Sequence, residues 1–240
     1  MENSENKSLI SNGSSNLAKT EKLLSITQKI LSEIKPKYES VRIGNQEWMT
    51  RNLDVDRFRN GDLIPHVESA EDWKKVGENG QPAWCYYDND PENGKIYGKL
   101  YNWFAVNDPR GLVPEGWHIP SNVEWNILED FLGKDIAGYK MKSYNGWDDW
   151  MDDYGEIKNG NGDDSSGFNG LPCGFRQKSG NFYNIRCSAY FWSAVESANN
   201  YFAWSHNLAK SLATARTFSH DTAKSCGASV RCLRDDYLSI

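Results

Sequence analysis

From residue 38 onward the pattern is one of short strands and turns, and no single hydrophobic period is sustained. That punctuation is the strongest constraint on the fold. The segment Glu39–Thr50 reads as a hairpin: Val41 and Ile43 alternate, Gly44-Asn45 supplies the turn, and Trp48 returns on the second strand. Two stretches carry helical spacing. In residues 94–106, Tyr97, Leu100, Tyr101 and Phe104 form one face, closed by Asn107-Asp108-Pro109. At Ser121 a capping box opens a second helix, with Glu124 reaching back to the cap. Trp125, Leu128, Phe131 and Leu132 form its apolar face, and Gly133 ends it. Residues 171–187 read as a hairpin turning near Ser179-Gly180-Asn181. The strings at 189–194, 201–208 and 229–235 read as closing strands. With no internal repeat visible, residues 38–240 are expected to form one α+β domain, two helices on a loop-rich antiparallel β framework.

Composition agrees. The chain has 10 Trp among 13% aromatics but few aliphatics. Large rings on a Gly- and Asn-rich chain argue against a helical bundle or a doubly wound α/β enzyme. With 27 Lys and Arg against 33 Asp and Glu, the net charge is −6. This excludes a non-specific nucleic-acid binder. No apolar run approaches a membrane span.

Residues 1–16 are rich in Ser, Asn and Glu and read as disordered. Leu17, Leu24 and Leu31 recur every seven residues, and Leu23, Ile26, Ile30 and Ile34 join them. One amphipathic helix over 17–35, ended by Pro36, is expected. It is either docked on its own domain, a linker, or a coiled-coil stub that would make a homo-oligomer. No export signal precedes it, so a cytoplasmic location is expected, or an extracellular one for a mature or otherwise exported form. The five cysteines (Cys85, Cys173, Cys187, Cys226, Cys232) follow no CxxC pattern and are expected to be reduced thiols.

Chemistry is sparsely written. Asp88, Asp90 and Glu92 offer alternate carboxylates in a turn, as a calcium loop would, against the simpler reading of side chains capping backbone amides. Seven carboxylates between Asp148 and Asp164 are either a calcium cluster or a solvated loop. Structural calcium is the one cofactor weighed. His66, His118, His206 and His220 have no metal spacing, and His118 reads as a structural hydrogen-bonding residue. No nucleophile elbow or phosphate loop is present.

Six strings stand in a telling order: EWMTRNLD at 47–54, YDNDPENGKIYGKLYNWFAV at 87–106, VPEGWHIPSNVEW at 113–125, DSSGFNGLPCGFR at 164–176, YFWSA at 190–194 and GASVRCLRD at 227–235. Together they resemble the Fibrobacter succinogenes major paralogous domain family over roughly 41–235. That family resembles a branch of the C-type lectin-like superfamily, which also holds formylglycine-generating enzymes and the variable proteins of diversity-generating retroelements. The resemblance implies a C-type lectin-like fold, with N- and C-terminal strands paired and a loop-rich second half. It departs from the family where Val113 replaces a cysteine that relatives carry before the GWH string, and where Cys173 and Cys187 take Gly-like positions. The acid-Pro-amide and Trp-Asn-Asp strings of calcium-dependent sugar binding are missing.

Two functions follow. The favoured one is a non-catalytic module that recognises a protein or glycan through the loop face of 183–226, where Tyr, Trp, Ser and Asn give a paratope-like composition. Its expected contacts are Tyr183, Tyr201, Ser205, His206, Arg216 and His220, with mild acidity acting through the two histidines. The other is a formylglycine-type cysteine oxidase using Cys226 and Cys232, whose even spacing would place both on one strand face. A purely structural domain is the remaining alternative. Trp48, Trp103, Trp117, Trp125 and Trp192 are expected in the core.

Overall fold

The computed structural model describes residues 19–25, 38–214 and 216–235, with backbone alone for 216–221. The chain divides into two units, Met1–Tyr38 and Glu39–Ile240. In the first, residues 19–25 form a helix, α1, with Leu23 and Leu24 exposed. The tail at 1–16 and most of the helix expected over 17–35 lie outside the described residues.

In the second unit the elements run β1 (Ser40–Ile43), β2 (Gln46–Met49), α2 (Ala70–Glu78), β3 (Trp84–Cys85), α3 (Pro91–Tyr97), β4 (Leu100–Asn102), α4 (Trp103–Val106), β5 (Trp117–His118), α5 (Asn122–Leu132) and α6 (Ala137–Met141). They continue with β6 (Trp150–Met151), β7 (Ile157–Lys158), β8 (Cys173–Arg176), β9 (Phe182–Ile185), β10 (Ser188–Glu196), β11 (Phe202–Ala209), β12 (Arg216–Ala223), β13 (Gly227–Ala228) and β14 (Leu233–Arg234). This is a mixed α+β fold. One four-stranded sheet has the order β1-β2-β14-β5. A larger one runs β12-β11-β10-β8-β13-β4-β3, with β9 on β8. The ends of the domain meet where Leu233 of β14 pairs with Trp48 of β2, the terminal-strand pairing that the resemblance implies.

The local signals at turns and caps are borne out. Ile43 pairs with Gln46 across Gly44-Asn45. Arg176 pairs with Phe182 across the second hairpin, whose turn closes with Gln177 N–H donating to Asn181 O at 2.8 Å. Ser121 and Glu124 form the capping box, and α5 ends at Gly133. On α5, Trp125, Leu128 and Leu132 are buried, whereas Phe131 is 63% exposed and is corrected from core to surface.

The helix expected over 94–106 does not form. Gly98 sits at φ +74, ends α3, and lets the chain enter the short strand β4 before one turn of α4. A nine-residue helix, α2, appears instead; Ser69 caps it and Trp73 anchors it. The main core gathers Trp48, Trp125, Phe168 and Phe191, with Trp48 and Trp125 ring centroids 4.7 Å apart. A second cluster joins Val67, Trp73, Cys85, Tyr87 and Leu100. All five expected tryptophans are buried.

Two arginines are buried with main-chain carbonyls as their chief acceptors. Arg231 donates to Met49 O (3.0 Å), Asn169 O (3.3 Å) and Phe168 O, and to Asn52 Oδ1 at 2.8 Å. It thereby ties the first strand pair, the 168–169 loop and the last strand together. Arg176 donates to Gly180 O, Val67 O and Glu68 O at 2.6–2.9 Å, with Trp73 and Phe182 against its guanidinium. It fixes the β8–β9 hairpin turn beside the start of α2.

Candidate functional site

A cleft of about 780 Å³ opens where that hairpin turn, the C-terminal end of α2, α4, the β10–β11 turn and the β12–β13 connection converge. Lys74, Glu78, Asn79, Phe104, Lys178, Ser179, Asn200, Tyr201, Lys224 and Ser225 line it. Its floor depends on a close approach. A Cβ at Gly77 would lie 2.6 Å from the Ser225 Cβ, so only glycine lets α2 pack onto this connection. Trp73 Nε1–H donates to Ser225 O at 3.0 Å and holds the same contact from below.

Tyr201 is presented by a turn that spends its polar groups on itself. Asn199 Oδ1 accepts from Tyr201 N–H (3.0 Å) and Ser197 Oγ accepts from Asn199 N–H (3.4 Å). Phe202 N–H donates to Asn199 O (3.0 Å), and Tyr201 O accepts from Lys224 N–H (3.0 Å). The backbone is thus fixed while the residue is 79% exposed. Lys224, by contrast, is buried. Its ammonium pairs with Glu196 and lies 4.8 Å from the Trp103 ring. Lys74 faces Glu78 one helical turn on, at 3.8 Å. Lys178 is exposed on the hairpin turn and has no carboxylate within 4 Å among the described residues.

Of the four expected contact residues whose side chains are described, only Tyr201 lines this cleft. Tyr183 is 43% exposed on β9, its ring 5.9 Å from Phe175, away from the cleft lining. Arg216 and His220 lie on β12, their side chains outside the described residues. Ser205 and His206 are corrected: both are buried. Ser205 Oγ is 2.7 Å from Thr222 Oγ1 on the neighbouring strand. His206 stacks on Trp125 at 4.5 Å and has Glu129 Oε1 3.1 Å from Nδ1. Burial pushes the His206 pKa down against the pull of Glu129, so near neutral pH the ring is uncharged. Protonating His206 would therefore place a charge in the core rather than on a surface contact. Lys74, Asn79, Phe104, Lys178 and Ser225 carry no sequence signal that would have marked them.

Several carboxylates of the acidic loops are engaged locally. Asp90 Oδ1 accepts from Glu92 N–H and caps α3. Asp152 Oδ1 accepts from Tyr154 and Glu156 N–H, Asp164 Oδ1 from Asn169 N–H, and Asp148 pairs with Arg186 at 2.6 Å. Among the described residues no group of three or more His, Cys, Asp or Glu is placed to hold a metal ion. His118 is structural: Nε2 lies 2.8 Å from Glu124 Oε1 and Nδ1 2.7 Å from Asp235 Oδ1. Cys226 and Cys232 share no strand, because the chain leaves β13 at Ala228 and enters β14 only at Leu233. The even-spacing argument therefore fails. Both thiols are buried, and burial pushes Cys232 up to about 12 and Cys226 upward as well. No helix among the described residues is long and apolar enough to cross a membrane.

Fold and cleft together describe a Trp-cored α+β domain whose termini pair and whose turns converge on one aromatic- and lysine-lined opening. The profile of the Fibrobacter succinogenes major domain matches residues 41–234, and the chain belongs to that family. No curated protein and no solved structure matches it.

Proposed function

We propose that this chain is a non-catalytic binding module on a C-type lectin-like framework, and that it receives a protein or glycan at the cleft around Tyr201. The observation that carries the reading is the tyrosine itself: a residue 79% exposed, in a turn held by four hydrogen bonds, lining a cleft. A rigid aromatic contributes contact area at little entropic cost. The pairing of β2 with β14 and the loop-rich second half support the lectin-like framework. The cleft draws Asn200, Tyr201, Lys224 and Ser225 from the 183–226 face. A retroelement-type variable protein would vary positions such as these while its buried frame stayed fixed.

The oxidase alternative is disfavoured by two buried thiols whose pKa values are raised, since the thiolate is the reactive form. Structural calcium is disfavoured by the carboxylates of the acidic loops that already accept from backbone amides or pair with Arg and Lys. A glycan and protein panel, probed with wild type and Tyr201→Ala, tests the reading. Binding is expected to survive EDTA and Cys226→Ser and to fall at least about tenfold in Tyr201→Ala. Undiminished binding by Tyr201→Ala would place the site elsewhere.

A further inference from the structure

We propose that the ligand of this cleft is an acidic oligosaccharide recognised through a single carboxylate at Lys178. The inference rests on the cleft being the binding site, and charge bookkeeping carries it. Lys224 is balanced by Glu196, and Lys74 by Glu78. Lys178 alone has no carboxylate within 4 Å among the described residues. The cleft therefore holds one uncompensated positive charge on a chain whose net charge is −6. A ligand with one carboxylate can pair with Lys178 by a charge-assisted hydrogen bond. A polyanion would satisfy Lys178 and then meet Glu78 and Glu196, and the negative field of the whole chain would oppose its approach.

The remaining lining suits a sugar. Tyr201 and Phe104 offer apolar ring faces, and Asn79, Asn200, Ser179 and Ser225 offer side-chain amides and hydroxyls for ring hydroxyls. An extended peptide instead takes its affinity from a ladder of main-chain hydrogen bonds. The volume of about 780 Å³ falls in the range of small-ligand clefts.

The test is calorimetric titration of the full chain with four probes. These are xylotriose bearing one methylglucuronate, neutral xylotetraose, tetragalacturonate and tetraglutamate. The singly acidic sugar is expected to bind at least about tenfold tighter than the neutral one, with tetragalacturonate no tighter. Lys178→Met is expected to abolish that acid-to-neutral ratio. Tyr201→Ala is expected to weaken both sugars. Lys178 is exposed, so its replacement does not threaten folding.

An acid-to-neutral ratio near one, or a ratio that survives Lys178→Met, overturns the carboxylate inference. If Tyr201→Ala still weakens binding in that case, the cleft reading stands. Sugar binding indifferent to Tyr201→Ala fails the cleft reading itself. Tetraglutamate binding as tightly as the acidic sugar, or no saturable binding of any sugar, overturns the saccharide assignment.

Discussion

Two tryptophans with the same burial are expected to respond unequally to the same substitution. Trp125 and Trp192 are both 0% exposed. Trp192 Nε1–H donates to Tyr101 O at 2.7 Å, whereas Trp125 Nε1 is buried without an acceptor among the described residues. Replacing either with Phe removes two ring carbons and the N–H. The lost carbons cost about 1.6 kcal/mol at ~0.8 kcal/mol each, and the residual cavity adds roughly another 1 kcal/mol. In Trp125→Phe an unsatisfied donor disappears, which returns about 1–3 kcal/mol. In Trp192→Phe the Tyr101 carbonyl loses its donor, which costs about 1–3 kcal/mol more. Trp125→Phe is therefore expected within about 2 kcal/mol of wild type, and Trp192→Phe at least about 2 kcal/mol below Trp125→Phe.

Urea unfolding followed by far-ultraviolet circular dichroism measures the difference. With a slope near 2 kcal/mol/M the two midpoints separate by about 1 M. Trp125→Ala serves as the control, because losing the whole ring between Trp48, Phe168 and His206 is expected to cost about 3–5 kcal/mol. Equal midpoints for the two Phe variants would mean that Trp125 Nε1 does have a partner, such as a bound water, and would refute the reasoning.

Two further expectations concern pH. Hydrogen bonding to Glu124 raises the His118 pKa against its partial burial, and Asp235 reinforces the effect. A raised folded pKa gives stability that is complete below the unfolded value near 6.5 and fades as pH rises through the folded value. Exchange of the Asp235 amide, which donates to Gly116 O, is therefore expected to accelerate above neutral pH beyond the intrinsic trend in wild type but not in His118→Gln. Lys142 has the opposite sign. Its ammonium is 2.8 Å from Gly160 O and 3.2 Å from Ala209 O, and burial lowers its pKa to about 8. The unfolded chain holds that proton more tightly. Lys142 is thus expected to add up to about 3 kcal/mol between pH 8 and 10.5, read as wild-type stability relative to Lys142→Met so that the opposing titration of the buried thiols cancels, and a difference that does not grow with pH would refute this.

What the sequence made legible was whatever a few neighbouring residues decide. The capping box at Ser121 and Glu124 and the turns at Gly44-Asn45 and 179–181 formed as read, because each is a contract among residues within five positions of one another. Residues 94–106 misled because different elements present the four side chains of the apparent face: Tyr97 packs against the core from α3, Leu100 and Tyr101 are buried on β4, and Phe104 lines the cleft from α4. Leu100, Tyr101 and Asn102 are each buried, and a short strand covered on both faces cannot be told from a helix by spacing. The same limit governs the candidate site. On β11, alternation assigns Ser205 and His206 to opposite faces but says nothing of what covers each. Strand β12 brings Thr222 to one, and α5, some 77 residues earlier, brings Trp125 and Glu129 to the other. Polar residues that read as a recognition surface are therefore core. Tyr201 kept its exposure because it sits in a turn, where no neighbouring strand can lie over it. Its companions Lys74, Phe104 and Lys178 reach the cleft from α2, α4 and the β8–β9 turn, so topology alone placed them.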